Sequence, residues 1–250
     1  MQYSYSRVDT YNQCPYKYKL RYIDKLKTLP NYDATNPLIL GTALHKGLET
    51  NVETAVKEYL SYFPIITDEQ IHEVIKLEIL IPKAKAMLPD GESEVKIDCE
   101  NFVGYIDLLC DSDDKMSKDI YDYKYTSNTN RYSDSRQLHL YKYYRKDVKR
   151  LYYLFIPKIN IRQKKTETLH EFRQRLRAEC EKAIITKKEM TYDPNKVREF
   201  FDDIAKIEAA KEYPKNETKL CDYCEYKELC KEGVDYEIVW YTQIQPLHMG

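Results

Sequence analysis

Two short runs of alternating hydrophobic and polar residues, separated by a polar turn, predict a β-hairpin near the middle of the chain. The runs cover 103–110 and 119–126. Because successive side chains of a strand point to opposite faces, Asp107 lies on one face of the first strand, and Asp122 and Lys124 share one face of the second. If these polar faces coincide, the two carboxylates meet across the hairpin with the lysine one step along.

Two carboxylates held at close range repel each other, which disfavours the ionised form of both unless a cation lies between them. A hard divalent metal ion suits this place because it takes oxygen ligands and can also hold water and a phosphate. A neighbouring lysine can orient or deprotonate that water, or offset charge on a phosphoryl group. The same residues also fit an ordinary edge hairpin with solvated charges, because Asp-x-Lys alone is a common sequence.

The remaining hydrophobic pattern predicts helices and further strands around this hairpin. Capping sequences and helical spacing predict helices at about 6–13 (with Ser6 as the N-cap), 15–22, 41–59, 67–88 (kinked or divided at Pro82), 135–147, 168–185 and 194–211. Strand patterns occupy 94–99 and 151–156, and 235–242 fits a terminal strand or a docking tail. Mixed strands and helices packed in layers place the chain in the α/β or α+β class.

Two groups of residues at helical spacing provide further candidates for the site at the hairpin. His45 lies beside an apolar stripe, with Gly41 one turn before it and Glu49 one turn after it. Gly41 leaves room for a backbone or a ligand to approach, although a lone histidine at such a margin is more often a hydrogen-bonded structural residue than a metal ligand. Gln137 and Tyr141 are one turn apart and can act on the same object.

Composition supports one sizeable core, and charge becomes informative only when its distribution is considered. The 250 residues are 42% hydrophobic and carry a net charge of −1, so overall charge does not indicate a nucleic-acid partner. A basic, tyrosine-rich segment nevertheless runs from 131 to 150. Its members include Arg131, Arg136, Lys142, Arg145, Tyr132, Tyr141, Tyr143 and Tyr144. Such a segment could bind a single nucleic-acid strand, with the basic groups on the phosphates and the rings stacked on the bases. A solvated helix face with tyrosines in the core explains the same composition equally well.

Three cysteines near the end, Cys221, Cys224 and Cys230, have the C-x2-C-x5-C spacing of a metal or cluster site. With seven cysteines and no export signal visible, we expect a reducing, cytoplasmic location and metal or cluster ligation rather than disulfides. A zinc site needs a fourth ligand nearby, for which only His248 in the tail is available, so an iron–sulfur cluster with one remote cysteine fits better. The candidates for that cysteine are Cys14, Cys99, Cys110 and Cys180, of which Cys14, at a junction between helices, is favoured.

Together these motifs resemble the PD-(D/E)XK nuclease superfamily. In chain order they are Ser6…Tyr11-x2-Cys14-Pro15-Tyr16, Gly41-x3-His45-x3-Glu49, Gly104-x2-Asp107, Asp122-x-Lys124, Gln137-x3-Tyr141 and Cys221-x2-Cys224-x5-Cys230. The set is most similar to the RecB/AddB-type exonuclease domains and to the CRISPR-associated and phage exonucleases that carry an iron–sulfur cluster. One departure is Asp122, where many members of the superfamily have glutamate.

The resemblance implies a restriction-endonuclease-like core, a central mixed β-sheet flanked by helices, in a single nuclease domain over 1–250. Within it, 1–30 and 213–235 would form a cysteine-cluster subregion, and 41–91 a helical insertion. Mg²⁺ or Mn²⁺ would be bound by His45, Asp107, Asp122 and the backbone carbonyl of Tyr123. Lys124 would be the catalytic lysine, positioned with the DNA backbone by Gln137 and Tyr141. Cys14, Cys221, Cys224 and Cys230 would hold a structural [4Fe–4S] cluster.

The function implied by the resemblance is that of a metal-dependent DNA exonuclease in recombination, repair, or phage or CRISPR DNA processing. Arg131, Arg136, Lys142 and Arg145 would bind the DNA. Because no Walker sequence is present, unwinding would need a helicase or recombination partner, and no apolar run predicts membrane insertion. The alternatives are a non-catalytic subunit that binds DNA ends in a recombination or CRISPR-adaptation complex, and an RNA-processing metal enzyme with a similar core.

Overall fold

The structure, a computed structural model, describes residues 1–28 and 30–232. In this part of the chain five strands form one sheet in the order β1-β2-β3-β4-β5. They are β1 (Gly91–Asp98), β2 (Val103–Asp111), β3 (Lys118–Tyr125), β4 (Val148–Ile156) and β5 (Thr186–Met190). Only β3 and β4 pair in parallel, and the other neighbours are antiparallel. This mixed sheet flanked by helices confirms the predicted fold class. The strand expected at 235–242 and the candidate ligand His248 lie outside the described residues.

The helices follow the predicted order with different boundaries. They are α1 (Tyr5–Gln13), α2 (Pro15–Tyr18), α3 (Pro37–Glu49), α4 (Val52–Ser61), α5 (Asp68–Lys85), α6 (Gln137–Tyr144), α7 (Leu169–Lys182), α8 (Pro194–Ala209) and α9 (Lys227–Glu232). The capping boxes predicted at Thr67 and Thr168 are both present.

Three helix boundaries predicted from the sequence were wrong. The helix expected from 41 to 59 is divided in two, because Asn51 Oδ1 accepts a hydrogen bond from the backbone N of Thr54 at 2.8 Å and so caps α4. The first helix begins before Ser6, since the hydroxyl of Ser4 accepts from the backbone N of Arg7 at 3.2 Å. The helix expected at 15–22 is the short α2 followed by a π-helical turn at Lys19–Ile23.

The chain forms two compact units. One comprises Met1–Val8 and Pro30–Ala209 and contains the sheet with α3 to α8. The other comprises the described residues 9–28 and 210–232 and contains α2 and α9. The division of the chain into a single nuclease domain, a cysteine-cluster subregion and a helical insertion stays a prediction. Among the described residues, no helix combines the length and the apolar character needed to cross a membrane.

The main core of the sheet-containing unit lies between one face of the sheet and α3, α4 and α5. The alternating residues of that face are Leu108, Cys110, Tyr121, Tyr123, Tyr152, Leu154 and Ile156. Gly47 allows α3 to approach its neighbours, because a Cβ there would lie 2.5 Å from Ile81 Cδ1 and 2.8 Å from Ala55 Cβ. The close packing brings the second half of α3, with His45, next to β3.

Candidate active site

The ladder between β2 and β3 stops where the two candidate carboxylates begin. Backbone pairing runs from Asp111 opposite Lys118 to Leu108 opposite Tyr121. One further step in the same register would place residue 107 opposite residue 122, in agreement with the alternation pattern. Instead, the side chain of Asp107 takes the place of a backbone partner. Its Oδ2 accepts a hydrogen bond from the backbone N of Tyr123 at 2.6 Å.

His45 reaches this point from α3. Its Nδ1 lies 3.5 Å from Asp107 Oδ1, and its Nε2 lies 3.2 Å from the backbone carbonyl oxygen of Tyr123. Burial lowers the pKa of His45, although the negative charge of Asp122 opposes that shift. The imidazole is therefore held in the neutral form, which is the form that binds metal ions. Three of the predicted metal-binding groups thus converge on one place.

Glu94 is a further candidate ligand that sequence reasoning missed. One ligand atom each from His45, Glu94 and Asp107 lies within 4.8 Å of the other two. The ladder with β2 pairs residues 93 and 95 but not Glu94, whose φ is 54°. A positive φ is uncommon for a residue with a side chain, and strained residues of this kind cluster at active sites and ligand clamps, although Lys25 and Lys115 share it here. In the sequence Glu94 is an ordinary polar strand position, and nothing there indicates the unusual backbone.

Asp122 is completely buried, with an exposed fraction of 0%. Lys124 Nζ forms an ion pair with its Oδ2 at 2.5 Å, and beyond this pairing neither carboxylate oxygen has a hydrogen-bond partner among the described residues. Burial, and then repulsion from Asp122, raises the pKa of Asp107 well above its usual range. Leaving a buried carboxylate without hydrogen bonds is costly. The oxygen-rich donor set therefore fits a divalent cation, which would relieve both penalties.

Lys124 is held in place from α6. Its Nζ donates a hydrogen bond to Gln137 Oε1 at 3.0 Å, and Gln137 Nε2 donates to the hydroxyl of Tyr141 at 2.9 Å. Burial alone would lower the pKa of Lys124, but the charges of Asp122 and then Asp107 raise it on balance. The lysine is therefore an ammonium at neutral pH. Gln137 thus contacts Lys124 directly, whereas Tyr141 acts on Lys124 only through Gln137, and a role of the pair in positioning DNA stays a prediction.

The four arginine and lysine residues expected to bind DNA differ in how they are engaged. Arg131 is exposed. The other three use their cations within the fold: Arg136 pairs with Glu199 and Asp203, Lys142 donates to the carbonyl of Val148, and Arg145 makes two bonds to Asp147. Their contact with DNA stays a prediction.

The second unit gathers four cysteines at one cavity. Cys14, Cys221, Cys224 and Cys230 all line this space of about 630 Å³. Cys14 also caps α2, since its Sγ accepts from the backbone N of Lys17 at 3.4 Å. In the part of the chain that the structure describes, no three of these sulfur atoms lie within 4.8 Å of one another. Ligation of a metal ion or a cluster by these four cysteines stays a prediction.

Comparison with known proteins gives the family. Residues 2–231 match the PD-(D/E)XK nuclease superfamily, whose members are metal-dependent nucleases. No curated protein matches the chain. A solved structure described as the crystal structure of SSO0001 aligns with 93% of this chain and 87% of its own, with a TM-score of 0.41 and 12% sequence identity. The family match over residues 2–231 agrees with the mixed sheet and with the Asp122-x-Lys124 sequence on β3. The chain belongs to the PD-(D/E)XK nuclease superfamily.

Proposed function

We propose that the protein is a metal-dependent DNA exonuclease of the RecB/AddB-type branch, acting in DNA recombination, repair, or phage or CRISPR DNA processing. The observation that carries the proposal is the fully buried Asp122 carboxylate, which has no hydrogen bond and stands beside Asp107 and Lys124. Lys124 Nζ, 2.5 Å from Asp122 Oδ2, balances one negative charge, so a purely structural role would leave the second carboxylate, Asp107, without a compensating cation. The exonuclease branch is favoured by the order of the sequence motifs, which includes His45 and the four cysteines.

The metal site would be formed by His45, Glu94, Asp107, Asp122 and the carbonyl of Tyr123. A neutral imidazole and several oxygen atoms are the ligand chemistry that Mn²⁺ accepts and that Mg²⁺ accepts in part. When bound, the ion supplies a Lewis acid for the scissile phosphate and lowers the pKa of the attacking water. The end of the β2–β3 pairing at Leu108 and Tyr121 supports this assignment. Beyond it the backbones no longer pair, which leaves room for carboxylate oxygens to reach a shared metal ion.

The roles of the surrounding residues follow from their contacts. The backbone N of Tyr123 fixes the orientation of the Asp107 carboxylate. Because Lys124 is charged, it serves as an electrostatic partner for the negative charge that develops on the phosphoryl group, rather than as a proton acceptor. Gln137 orients this ammonium by accepting its hydrogen bond, and Gln137 is in turn oriented by its hydrogen bond to Tyr141. Preorganised groups of this kind act without reorganising during the reaction.

We also propose that Cys14, Cys221, Cys224 and Cys230 hold a [4Fe–4S] cluster with a structural role. The proposal is supported by the position of the four cysteines, all of which line the same cavity of the second unit. Ligation would link positions far apart in the chain. By the loop-closure relation used for disulfides, such a cross-link contributes about 5 kcal/mol to stability.

The test is Mn²⁺-dependent degradation of end-labelled single- and double-stranded DNA by anaerobically prepared protein. Asp122→Asn should lose at least about 100-fold in rate, because it removes a charge at the site. Asp111→Asn is the matched control: Asp111 is an exposed residue of the same hairpin, 2.6 Å from Lys118 Nζ. The product ladder gives the polarity, and an RNA strand of the same sequence tests for ribonuclease action. A wild type that binds DNA ends tightly but cleaves nothing would favour the end-binding subunit instead.

A further inference from the structure

Tyr132, in the segment between β3 and α6, packs beside Lys124. The centre of its ring lies 5.6 Å from the ring centres of both Tyr153 and Phe155 in β4, so β4 fixes the ring from one side. Lys124 Nζ lies 5.6 Å from the ring centre of Tyr132 and 5.8 Å from that of Tyr153. Both distances are within the range of cation–π attraction. The two rings therefore join the polar partners of Lys124 in setting the direction of its ammonium.

Arg131 holds a second cation against the same ring. Its Cζ lies 5.0 Å from the ring centre of Tyr132. Among the residues that the structure describes, this exposed guanidinium has no hydrogen-bond or ion-pair acceptor, whereas Arg136, five positions later, has Glu199 and Asp203. Two cations thus lie within 6 Å of one ring centre, and only the guanidinium is still without an acceptor.

Lys158 adds positive charge near Arg131. Its ammonium lies 5.4 Å from the ring centre of Tyr125 and, within residues 1–28 and 30–232, also has no hydrogen-bond or ion-pair acceptor. Burial lowers the pKa of Lys158. Glu73 opposes that shift, and repulsion from Arg131 adds to it. The exposed guanidinium of Arg131, which lies against the same ring as Lys124 and has no acceptor among the described residues, therefore offers a place for an anion, and Lys158 adds to the positive potential there.

We propose that Arg131 and Tyr132 form a subsite for the phosphate next to the scissile one, so that the site engages two successive phosphates of a single strand. Lys124 would meet the first phosphate and Arg131 the second. This inference rests on the proposed nuclease function and adds a substrate requirement to it. The ligand is a phosphate because the planar guanidinium can bind two of its oxygens at once. Either an internal phosphodiester or a terminal phosphate of the strand supplies that chemistry.

Tyr132 acts in this subsite as a positioning residue. Because the same ring attracts both Lys124 Nζ, at 5.6 Å, and Arg131 Cζ, at 5.0 Å, it relates the positions of the two cations to each other. Removing the ring should therefore affect both the rate of the chemical step and the recognition of the neighbouring phosphate. Replacing it with another aromatic ring should affect neither strongly.

The test neutralises single phosphates of a single-stranded DNA oligonucleotide as methylphosphonates, one position at a time on each side of the cleaved bond. For the wild type in Mn²⁺, we expect cleavage to fall about tenfold at one neighbouring position, by the loss of one charge-assisted contact. Arg131→Gln should be slower on the unmodified strand by a similar factor and should show no further fall at that position. Strands with and without a terminal phosphate distinguish the two sources of the ligand.

Tyr132 is tested by a pair of substitutions. Tyr132→Phe should keep kcat within about twofold, whereas Tyr132→Leu should lower kcat about tenfold and weaken the methylphosphonate effect, with Mn²⁺ affinity unchanged. Tyr143→Leu is the matched control, because Lys146 Nζ lies 4.2 Å from the ring centre of Tyr143 without any contact to the site. An equal methylphosphonate effect in wild type and Arg131→Gln would overturn the subsite while leaving the nuclease function intact. A wild type inactive on every unmodified strand would overturn the nuclease function itself.

Discussion

Replacing Gly104 with alanine should disturb the catalytic lysine from a distance. A Cβ at this position in β2 would lie 2.8 Å from Tyr141 Cε1 and 3.0 Å from Phe102 Cε1. Side chains do not tolerate carbon contacts this short. Phe102 is completely buried and stacks on Tyr144 with ring centres 4.5 Å apart, and Tyr141 is only 3% exposed. One of the two rings must move, and the nearer one is Tyr141.

The size of the effect follows from two contacts. Overpacking of a buried site costs about 1–3 kcal/mol, and for a unit of this size each kcal/mol lowers Tm by about 2–4 °C. The hydroxyl of Tyr141 holds Gln137 at 2.9 Å, and Gln137 holds Lys124 at 3.0 Å, so a displaced ring moves the ammonium. Misplacement of a catalytic group by about 1 Å can cost about 100-fold in rate. We expect kcat to fall about 10- to 100-fold.

The assay combines single-turnover DNA cleavage, Mn²⁺ binding by calorimetry and thermal unfolding. Mn²⁺ affinity should stay at the wild-type value, because Gly104 touches none of the proposed ligands. Gly41→Ala is the stability control: a Cβ there meets nothing within 4 Å, so this helix-interior change should raise stability by about 0.5–1 kcal/mol. In a Tyr141→Phe background the kcat loss from Gly104→Ala should largely disappear. Wild-type kcat in Gly104→Ala, or an undiminished loss in that background, would refute the reasoning.

Three further outcomes test the site and the fold. Glu94→Gln should weaken Mn²⁺ binding about tenfold in calorimetry with little change in Tm, because one ligand charge is lost, and unchanged affinity would remove Glu94 from the site. Cys224→Ala should abolish the visible iron–sulfur absorbance and lower the folding yield while Cys99→Ala does neither, and a coloured, fully stable Cys224 variant would exclude cluster ligation. Hydrogen bonds from Arg175 lower the pKa of Glu167 from its ordinary 4.5 to about 2, so its stabilising contribution is present above about pH 4.5 and is lost as the pH falls toward 2. Urea unfolding should therefore find Glu167→Gln less stable than wild type at pH 6 and equally stable near pH 2, and a difference that persists in acid would contradict this assignment.

Local periodicity was sufficient to predict the hairpin and its charged face. Strand alternation has a period of two, so Asp107, Asp122 and Lys124 could be assigned to one face before any packing was known. Helical spacing likewise related Gln137 to Tyr141, and cysteine spacing identified the C-terminal group. The structure confirms the hairpin and the contact between Gln137 and Tyr141, whereas the roles of these residues and of the cysteines stay predictions.

The features that the sequence did not reveal depend on contacts between distant segments. Glu94 joins the site through a backbone conformation that its strand neighbours impose. β5 is polar, and four of its five residues are exposed, so its pairing with β4 makes it a strand and its own pattern does not. Arg136 was expected to meet DNA, but its acceptors lie more than sixty residues away in α8. Ion-pair partners at such a distance leave no periodic signal.

The hydrogen bond between the backbone N of Tyr123 and Asp107 also makes that amide a natural reporter of the site. Any ion that draws electron density from the Asp107 carboxylate weakens the hydrogen bond that this carboxylate accepts from the Tyr123 amide. The amide resonance of Tyr123 in an NMR spectrum, and its rate of hydrogen–deuterium exchange, should therefore respond to metal binding before any nucleic acid is added. Occupancy of the site could then be followed at a single backbone position, in variants too slow for any cleavage assay.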